Sequence, residues 1–389
     1  MARWNVELAR LTGRLGWLFK RPEPRATFTD FIRALLSNAP KKNSWGLADQ
    51  AQHATPKAFE HLLDGAVWDA DQLRDEIRDY VVTNLGTPNG VLVLDDTQVI
   101  KKGTKSVGVA PQHCGSTGQT ENCQAMVMLT YASRHGHAFI DRELYLPACW
   151  TGAPDRCTAA GVPDNRAFTT KPELAVVMLA RAVRAGIPAA WVAADSGYGR
   201  DPQLRAYCHG QGLPYVMASS VDVPLVGPGG QALRPDTAVA AADPVVFERR
   251  SAGPGAKGDR YYDWAALTAT VKNQRPAPGY AHTLLVRRST EPKVTKKHPE
   301  GILEIEYFLV HAPKQTPIPE MITVAGTRWN IEDDNRAGKD LVGLGDYQVR
   351  KWTPWYRHVT CAMLAHAMLA VTRANLGKDQ PPIRDEAAA

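Results

Sequence analysis

The chain has 389 residues, of which 44% are hydrophobic and 22% are charged. This length and composition allow two or three domains with a sizeable buried core. They exclude a disordered chain, a collagen and a small disulfide scaffold. Forty-six Lys and Arg against 40 Asp and Glu give a net charge of +6, which permits an anionic partner without requiring one.

The sequence shows no signal for export, for a membrane or for a cysteine-based site. The first 24 residues scatter charges among apolar residues, unlike a signal peptide, so we expect a cytoplasmic protein. The most apolar stretch, residues 358–374, contains Arg373 and is shorter than the roughly 20 residues that span a bilayer. We therefore expect a buried helix there. The six cysteines form no CxxC pair and have no regularly spaced histidine partners, which predicts reduced thiols and neither a zinc site nor a disulfide framework.

Residues 1–85 show helical periodicity and predict an N-terminal helical domain. Thr55 and Pro56 supply an N-cap and a first-turn proline, so a short helix with Lys57 at its start should follow another one, as in a helix-turn-helix. The first 60 residues hold ten Lys and Arg against five acids, whereas the next 25 hold two against six. The basic segment favours DNA recognition, and a plain helical subdomain is the alternative.

Residues 86–219 predict the first part of a mixed α/β core. Apolar runs and helical segments follow in the order β-β-β-α-β-α-β, which is typical of a three-layer mixed sheet. The predicted strands are 90–96, 122–133, 137–147, 189–197 and 214–219, and the predicted helices are 170–186 and 202–209.

The remainder of the chain divides into three segments. Residues 220–315 are rich in Gly, Pro and short β-prone pieces and predict a strand-built insertion without helical periodicity. Helical sequence returns in residues 316–375, at 318–343 and again at 355–374, and predicts C-terminal helices of the core. Residues 376–389 predict a disordered tail.

Two of the predicted strands end in acid. Asp95, with Asp96 beside it, and Asp195 stand where strands of an open α/β sheet present residues to ligands, at the carboxyl edge. Their position makes the carboxylates candidates for a functional site. Ordinary turns are the alternative, because Asp-Asp-Thr and Asp-Ser-Gly are good turn sequences.

A third acid lies in the helical sequence near the C-terminus. Arg328, Glu332 and Lys339 share one helix face, because the second and third residues follow the first by four and eleven positions. A carboxylate flanked by cations on one stripe suits a site that holds a metal ion beside phosphates. A surface ion pair between Arg328 and Glu332, worth under ~1 kcal/mol, is the alternative.

Two further basic clusters are candidates for contact with DNA. Lys101, Lys102 and Lys105 follow the first acid-ended strand and suit a DNA backbone, with a solvated loop as the alternative. Arg350, Lys351 and Arg357 alternate with tryptophan and tyrosine, which suits phosphate contact and base stacking. Packing of those rings in the core explains the same pattern equally well.

Five runs of sequence, taken in order, resemble the motifs of DDE-superfamily transposases from bacterial insertion sequences. The runs are VLVLDDT, KKGTKSVGVAPQHCGSTGQTENCQ, DRELYLP, WVAADSGYG and RWNIEDDNRAGKDLVGLGDYQVRKWTPWYRH. The resemblance extends from about Phe19 to about Ala374. It implies an RNase H-like catalytic core, in agreement with the order of strands and helices above, with a β-rich insertion before the final Glu.

The resemblance implies a metal-binding triad of Asp95, Asp195 and Glu332. Asp95 is preferred to Asp96 because family members often have Glu at the second position of this motif, and Asp96 is the second choice. Arg328 then matches the arginine that precedes the family's catalytic Glu.

The family's final motif reads Tyr, two residues, Arg, three residues, Glu, six residues, Lys. Lys339 matches its last position. Two residues depart from the family pattern: Ala325 stands in place of the tyrosine, and Asn335 stands where a bulky apolar residue such as Phe is expected.

As to function, the resemblance implies metal-dependent DNA cleavage and strand transfer. It implies two Mg²⁺ ions, with Mn²⁺ able to substitute, and double-stranded DNA as partner, both terminal inverted repeats and target DNA. It also implies a homodimer in a synaptic complex and a cytoplasmic protein at the bacterial nucleoid. A repurposed DNA-binding protein without cleavage activity and a nuclease without strand transfer remain alternatives.

Overall fold

The computed structural model describes residues 2–255, 258–295 and 298–378. The helices are α1 (Ala2–Arg14), α2 (Pro22–Leu35), α3 (Ser44–Gln50), α4 (Lys57–Glu60), α5 (Ala70–Leu85), α6 (Ala148–Thr151), α7 (Pro154–Ala159), α8 (Lys171–Arg184), α9 (Ser196–Gly199), α10 (Pro202–Gly210), α11 (Pro235–Ala240), α12 (Ile318–Thr327), α13 (Trp329–Val342) and α14 (Trp352–Lys378). The strands are β1 (Gly90–Ile100), β2 (Ala110–Cys114), β3 (Gln119–Ser133), β4 (Gly136–Leu144), β5 (Ala189–Ala194), β6 (Tyr215–Ser219), β7 (Leu225–Val226), β8 (Ala232–Leu233), β9 (Glu248–Gly255), β10 (Gly258–Thr268), β11 (Thr270–Val271), β12 (Tyr280–Arg288) and β13 (Ile305–Pro313). Of the predicted tail, residues 379–389 lie outside the described residues.

The short helices α3 and α4 meet as predicted, but the start of α4 differs. Thr55 is not the N-cap: the helix begins at Lys57 after Pro56, and no side chain caps it. Pro56 occupies the N-cap position instead, so the helix begins one residue later than the sequence pattern indicates. α4 is four residues long and continues into a π-helical turn, His61–Gly65.

The N-terminal helices pack directly on the C-terminal helices. The Lys42 ammonium donates a hydrogen bond of 2.6 Å to the carbonyl of Leu341 at the end of α13. The Arg357 guanidinium, on α14, donates to the carbonyls of Leu63 at 3.0 Å and Trp68 at 2.6 Å. Arg357 is only 6% exposed. Its burial does not fit the DNA contact predicted for it, because its donors hold the helical region on α14.

The sheet contains all five strands that the sequence predicts for the core, in agreement with the RNase H-like resemblance. The order is β4-β3-β1-β5-β6, with β1 antiparallel to β3 and parallel to β5. A tight turn joins β3 to β4, where Ser133 pairs with Gly136. The hairpin of β2 with the start of β3 was not predicted, because residues 110–114 show no clear apolar alternation.

The insertion extends the central sheet. Strands dominate residues 220–315, as expected, together with the six-residue helix α11. β13 pairs antiparallel with β6, and β12, β10 and β9 follow outward, so the described part of the sheet has ten strands. Three short strands form a second sheet in the order β11-β7-β8. The insertion therefore shares the sheet of the core.

The C-terminal helices differ from the sequence pattern in one respect. The single helical stretch predicted at 318–343 is two helices, α12 and α13, which meet at Arg328. Gly343 ends α13 with φ of 68°, and a Cβ atom there would lie 2.4 Å from the Cβ atom of Lys42. Only glycine meets both conditions.

α14 is the buried helix that the sequence predicts near the C-terminus. Among the described residues it alone is long and apolar enough to cross a membrane by length and composition, and 61% of its apolar window is buried inside the protein. The rings of Trp352, Trp355 and Tyr356 are buried as well. The aromatic residues of this segment therefore pack in the core, which was one of the two explanations for their pattern.

We predict that Arg357→Ala destabilises the protein by roughly 2–4 kcal/mol, because it leaves two buried carbonyls without their charged donor. Lys351→Ala is the matched control. Lys351 is 57% exposed in its side chain and pairs with Asp64 at 3.0 Å, so its loss should change stability by less than about 0.5 kcal/mol. Chemical unfolding measures both. Equal stability of the Arg357 variant and the unchanged protein would contradict the structural role.

Candidate active site

The pairing of β1 with β5 brings two of the predicted acids together. The strands run parallel and Leu94 is in register with Ala194, so Asp95 within β1 lies beside Asp195, the residue that directly follows β5. Both side chains are partly buried. They lie at the carboxyl end of β5, the edge at which open α/β sheets present residues to ligands.

Asp195 also starts a helix. One oxygen, Oδ1, accepts hydrogen bonds from the backbone N–H groups of Gly197 at 2.9 Å and Tyr198 at 3.2 Å, so the residue is the N-cap of α9. Within the described chain no hydrogen bond reaches Oδ2. The cap fixes the carboxylate in place and leaves one oxygen for another partner.

The paired acids repel each other. Burial and the nearby charges of Asp195 and Asp96 raise the pKa of Asp95 to about 8. Burial raises the pKa of Asp195 as well, and the charge of Asp96 adds to this. A bound cation would relieve this repulsion, because it neutralises charge that the protein leaves uncompensated.

Asp96 differs from Asp95 in having a cation of its own. Its Oδ2 accepts from the Lys171 ammonium at 2.6 Å and from the Gln98 amide at 2.6 Å. Asp95 instead accepts a single hydrogen bond, from the backbone N–H of Asp96 at 2.7 Å. The carboxylate oxygens of Asp95 therefore have fewer partners than those of Asp96 and are more available to a metal ion.

Arg328 and Glu332 meet as their spacing predicts. The Arg328 guanidinium donates to Glu332 Oε1 at 2.7 Å, and its Nη2 lies 3.8 Å from Glu306 on β13. Burial alone would lower the pKa of Arg328, but the charges of Glu332, Glu306 and the two aspartates raise it. Arg328 thus lies within electrostatic reach of all three predicted triad acids.

Lys339 lies on the same side of the site. It is on α13 and partly buried, and burial lowers its pKa while the charges of Cys114, Asp340 and Asp95 oppose that change. The ammonium is therefore close enough to interact with Asp95. Arg328 and Lys339 place two cations around it.

The donor set fits a divalent metal ion. Carboxylate oxygens are the ligands that Mg²⁺ prefers in proteins, and Asp95 and Asp195 offer free oxygens whose charges repel. The three predicted ligands are not gathered, however. In the part of the chain that the structure covers, Asp95, Asp195 and Glu332 do not all lie within 4.8 Å of one another, and Glu332 is paired with Arg328.

The other predicted DNA-binding residues fall into two groups. Lys57, Lys102, Arg350 and Lys351 are exposed, and their positions suit contact with a DNA backbone. Lys101 is occupied: its ammonium donates to the carbonyl of Tyr347 at 2.8 Å and lies 3.6 Å from the centre of that ring. Burial lowers the pKa of Lys101 to about 8, so the residue mainly anchors the loop before α14.

Sequence reasoning missed one basic residue near these groups, Arg156. Lys105 and Arg156 line a cavity of about 810 Å³ together with Arg350 and Lys351. The Arg156 guanidinium lies 3.7 Å from the centre of the Trp150 ring. No pattern in the sequence links these positions, since two different loops and the helix α7 contribute them.

We predict that Mg²⁺ raises the thermal midpoint of the protein and that Asp195→Asn removes this effect. Asparagine keeps the N-cap of α9, because its side-chain oxygen accepts the same hydrogen bonds, but it lacks the charge that holds the ion. A ligand that binds only the folded state stabilises it by mass action. Thermal unfolding with Mg²⁺ and with a chelator measures the difference.

Asp201→Asn is the matched control for this experiment. Asp201 caps α10 with the same geometry, accepting from the N–H groups of Gln203 at 2.9 Å and Leu204 at 2.8 Å. Its substitution should leave the Mg²⁺ effect intact. A full Mg²⁺ effect in Asp195→Asn would rule out a metal site at the paired aspartates.

Comparison with known proteins places the chain in a family. Residues 14–280 match the family model described as "DDE superfamily endonuclease", a range that contains Asp95 and Asp195 and ends before Glu332. The chain is also 28% identical over 144 residues to a protein named "Probable transposase for insertion sequence element IS701" from Microchaete diplosiphon, a match that covers 37% of this chain and 35% of the relative. The family model covers well over half of the chain, and the chain belongs to the DDE superfamily of endonucleases.

Proposed function

We propose that the protein is a transposase that binds the ends of a mobile DNA element and cuts and rejoins DNA at an acidic metal site. The observation that carries this proposal is the pair Asp95 and Asp195, side by side at the sheet edge with repelling charges. Membership in a family of endonucleases supports it. So does the relative that is named a probable transposase.

We infer that Asp95, Asp195 and Glu332 hold two Mg²⁺ ions, for which Mn²⁺ can substitute. Bound there, the ions supply activation of the attacking oxygen and stabilisation of the leaving oxygen in phosphoryl transfer. The protein's own contribution is to fix the acids. Asp195 is fixed by its cap on α9, and Asp95 by its place in the middle of β1.

Glu332 has to leave Arg328 before it can join the two aspartates. Arginine binds phosphate oxygens with the same forked geometry that it uses for carboxylates. A DNA phosphate that reaches the site can therefore replace Glu332 on the Arg328 guanidinium, while Lys339 holds a neighbouring phosphate. DNA binding and completion of the acidic triad are coupled in this way, so the site is incomplete until substrate is present.

The proposed substrates are double-stranded terminal inverted repeats followed by target DNA, bound by a homodimer in a synaptic complex at the nucleoid. The basic N-terminal helices, with Lys57 exposed on α4, recognise the element ends. Exposed Lys102, Arg350 and Lys351 contact the backbone closer to the acids. Because Arg357 and Lys42 fasten the helical region to the C-terminal helices, recognition and cleavage occur on one connected body.

A duplex that carries a labelled terminal repeat tests the proposal directly. With Mg²⁺ the unchanged protein should give cleaved strands and joined products. Asp195→Asn should still bind the duplex but lose at least ~100-fold in cleavage rate, a loss of the size seen when one electrostatic group is removed from an active site. Asp201→Asn, which removes a charge from an equivalent cap, should retain cleavage.

Wild-type cleavage rates in Asp195→Asn would overturn the assignment of the site. If the unchanged protein binds the duplex but does not cleave it, the proposal of transposase activity is wrong and the protein is a repurposed DNA-binding protein. Cleavage without joined products would identify a nuclease instead.

The same assay separates Asp95 from Asp96. We predict that Asp95→Asn reduces cleavage as strongly as Asp195→Asn, because its free oxygens serve the metal. Asp96→Asn should have the smaller effect, since it removes mainly the ion pair with Lys171. The reverse order of the two rates would make Asp96 the metal ligand.

A further inference from the structure

Three histidines from distant parts of the sequence meet between the core and the insertion. His209 lies on α10, and His282 and His311 are directly paired on the neighbouring strands β12 and β13. One ring nitrogen of each lies within 4.8 Å of the other two. Among the residues that the structure covers, this is the one group of three metal-ligating side chains gathered so closely.

Two of these rings carry a buried nitrogen without a partner. His282 is 6% exposed and His311 is fully buried. Within the described residues no hydrogen bond reaches Nε2 of His282 or Nδ1 of His311. Unpaired polar atoms are costly in a protein interior, and two of them on facing strands indicate a ligand between the rings.

The rings are in the chemical state that binds metals. Burial lowers the pKa of His282 to about 4 and that of His311 to about 3. Both imidazoles are therefore neutral at neutral pH, and no proton has to be displaced from an imidazolium ion before a metal binds.

We propose that His209, His282 and His311 bind one transition-metal ion of the zinc class, which fastens α10 of the core to β12 and β13 of the insertion. Imidazole nitrogen suits Zn²⁺ far better than it suits Mg²⁺, so this site and the acidic site select different ions. Three protein ligands leave a fourth position for water or for the Tyr215 hydroxyl, which lies 3.3 Å from Nε2 of His209.

Metal binding requires small local changes. The rings of His209 and His311 are stacked with centres 3.7 Å apart, and a bound ion lies in the plane of each ligating ring, so the half-buried His209 has to rotate. In His282 and His311 the proton on the unpaired nitrogen moves to the other ring nitrogen. The long contacts that the N–H groups of Val271 and Ala277 make there, at 3.4 Å and 3.2 Å, then open.

One nearby charge opposes the ion. The Arg205 guanidinium is held by the carbonyl of Gly199 and, at 2.8 Å, by Gln274, and its charge contributes to the lowered pKa of His282. The affinity for Zn²⁺ should therefore be lower than in a closed site with four protein ligands.

Zinc titration of the full chain, free of any histidine tag and first treated with chelator, tests the proposal. Excess Mg²⁺ keeps the carboxylates of the acidic site occupied. The unchanged protein should bind one Zn²⁺ per chain and unfold at a higher temperature with zinc. His209→Ala should weaken binding by at least ~10-fold, as loss of a metal-site residue does, and should lose the thermal increase.

His209 is suited to this substitution because it is half-buried and its loss leaves the paired strand residues in place. His113→Ala is the control, because His113 on β2 is exposed, and this variant should bind zinc normally. Visible absorption of bound Co²⁺ gives a second readout, present in the unchanged protein and absent in His209→Gln. Failure of the unchanged protein to bind stoichiometric zinc, or normal binding by His209→Ala, would overturn the site.

Discussion

The parallel pairing of β1 with β5 is the constraint on which the rest of the site depends. It sets Asp95 next to Asp195, and burial together with the charges of neighbouring acids raises the pKa of both. The surrounding groups compensate the negative charge of these acids only in part. The cap of α9 occupies one oxygen of Asp195, and Arg328 interacts with several acids at once. The negative charge that remains favours the binding of a divalent ion. The same charge makes the folded protein less stable when no ion is bound.

The helical region, the core and the insertion are more closely connected than the division of the sequence into segments indicates. The N-terminal helices are joined to α13 and α14 through Lys42 and Arg357, and the insertion adds β9, β10, β12 and β13 to the sheet that carries the aspartates. On our proposal, DNA recognised by the helical region is therefore held by an element fixed to the sheet that carries the aspartates. On our proposals a metal ion at the three histidines would tie the insertion to the core at a second point.

The features that the sequence predicts well are local ones. Asp95 comes after the buried apolar residues that begin β1, Asp195 directly follows the apolar strand β5, and Arg328 and Glu332 meet because residues four apart share a helix face. The features that it misses depend on register or on contacts between distant segments. Lys171 and Asp96 are 75 residues apart, Arg357 is buried by loops before α5, and His282 meets His311 only because β12 and β13 pair in one register. The sequence pattern of a basic, aromatic segment is the same whether its charged residue contacts DNA or a buried carbonyl, so the pattern cannot distinguish the two roles.

The central claim is that DNA completes an acidic metal site which is only partly assembled in the free protein. A crystal structure of the protein with a terminal-repeat duplex and Mn²⁺, with the metal located by anomalous scattering, tests it most directly. Our account predicts two Mn²⁺ ions bound by Asp95, Asp195 and Glu332, with Arg328 turned from Glu332 to a DNA phosphate. Mn²⁺ bound elsewhere, or Glu332 still paired with Arg328 beside bound DNA, would contradict it.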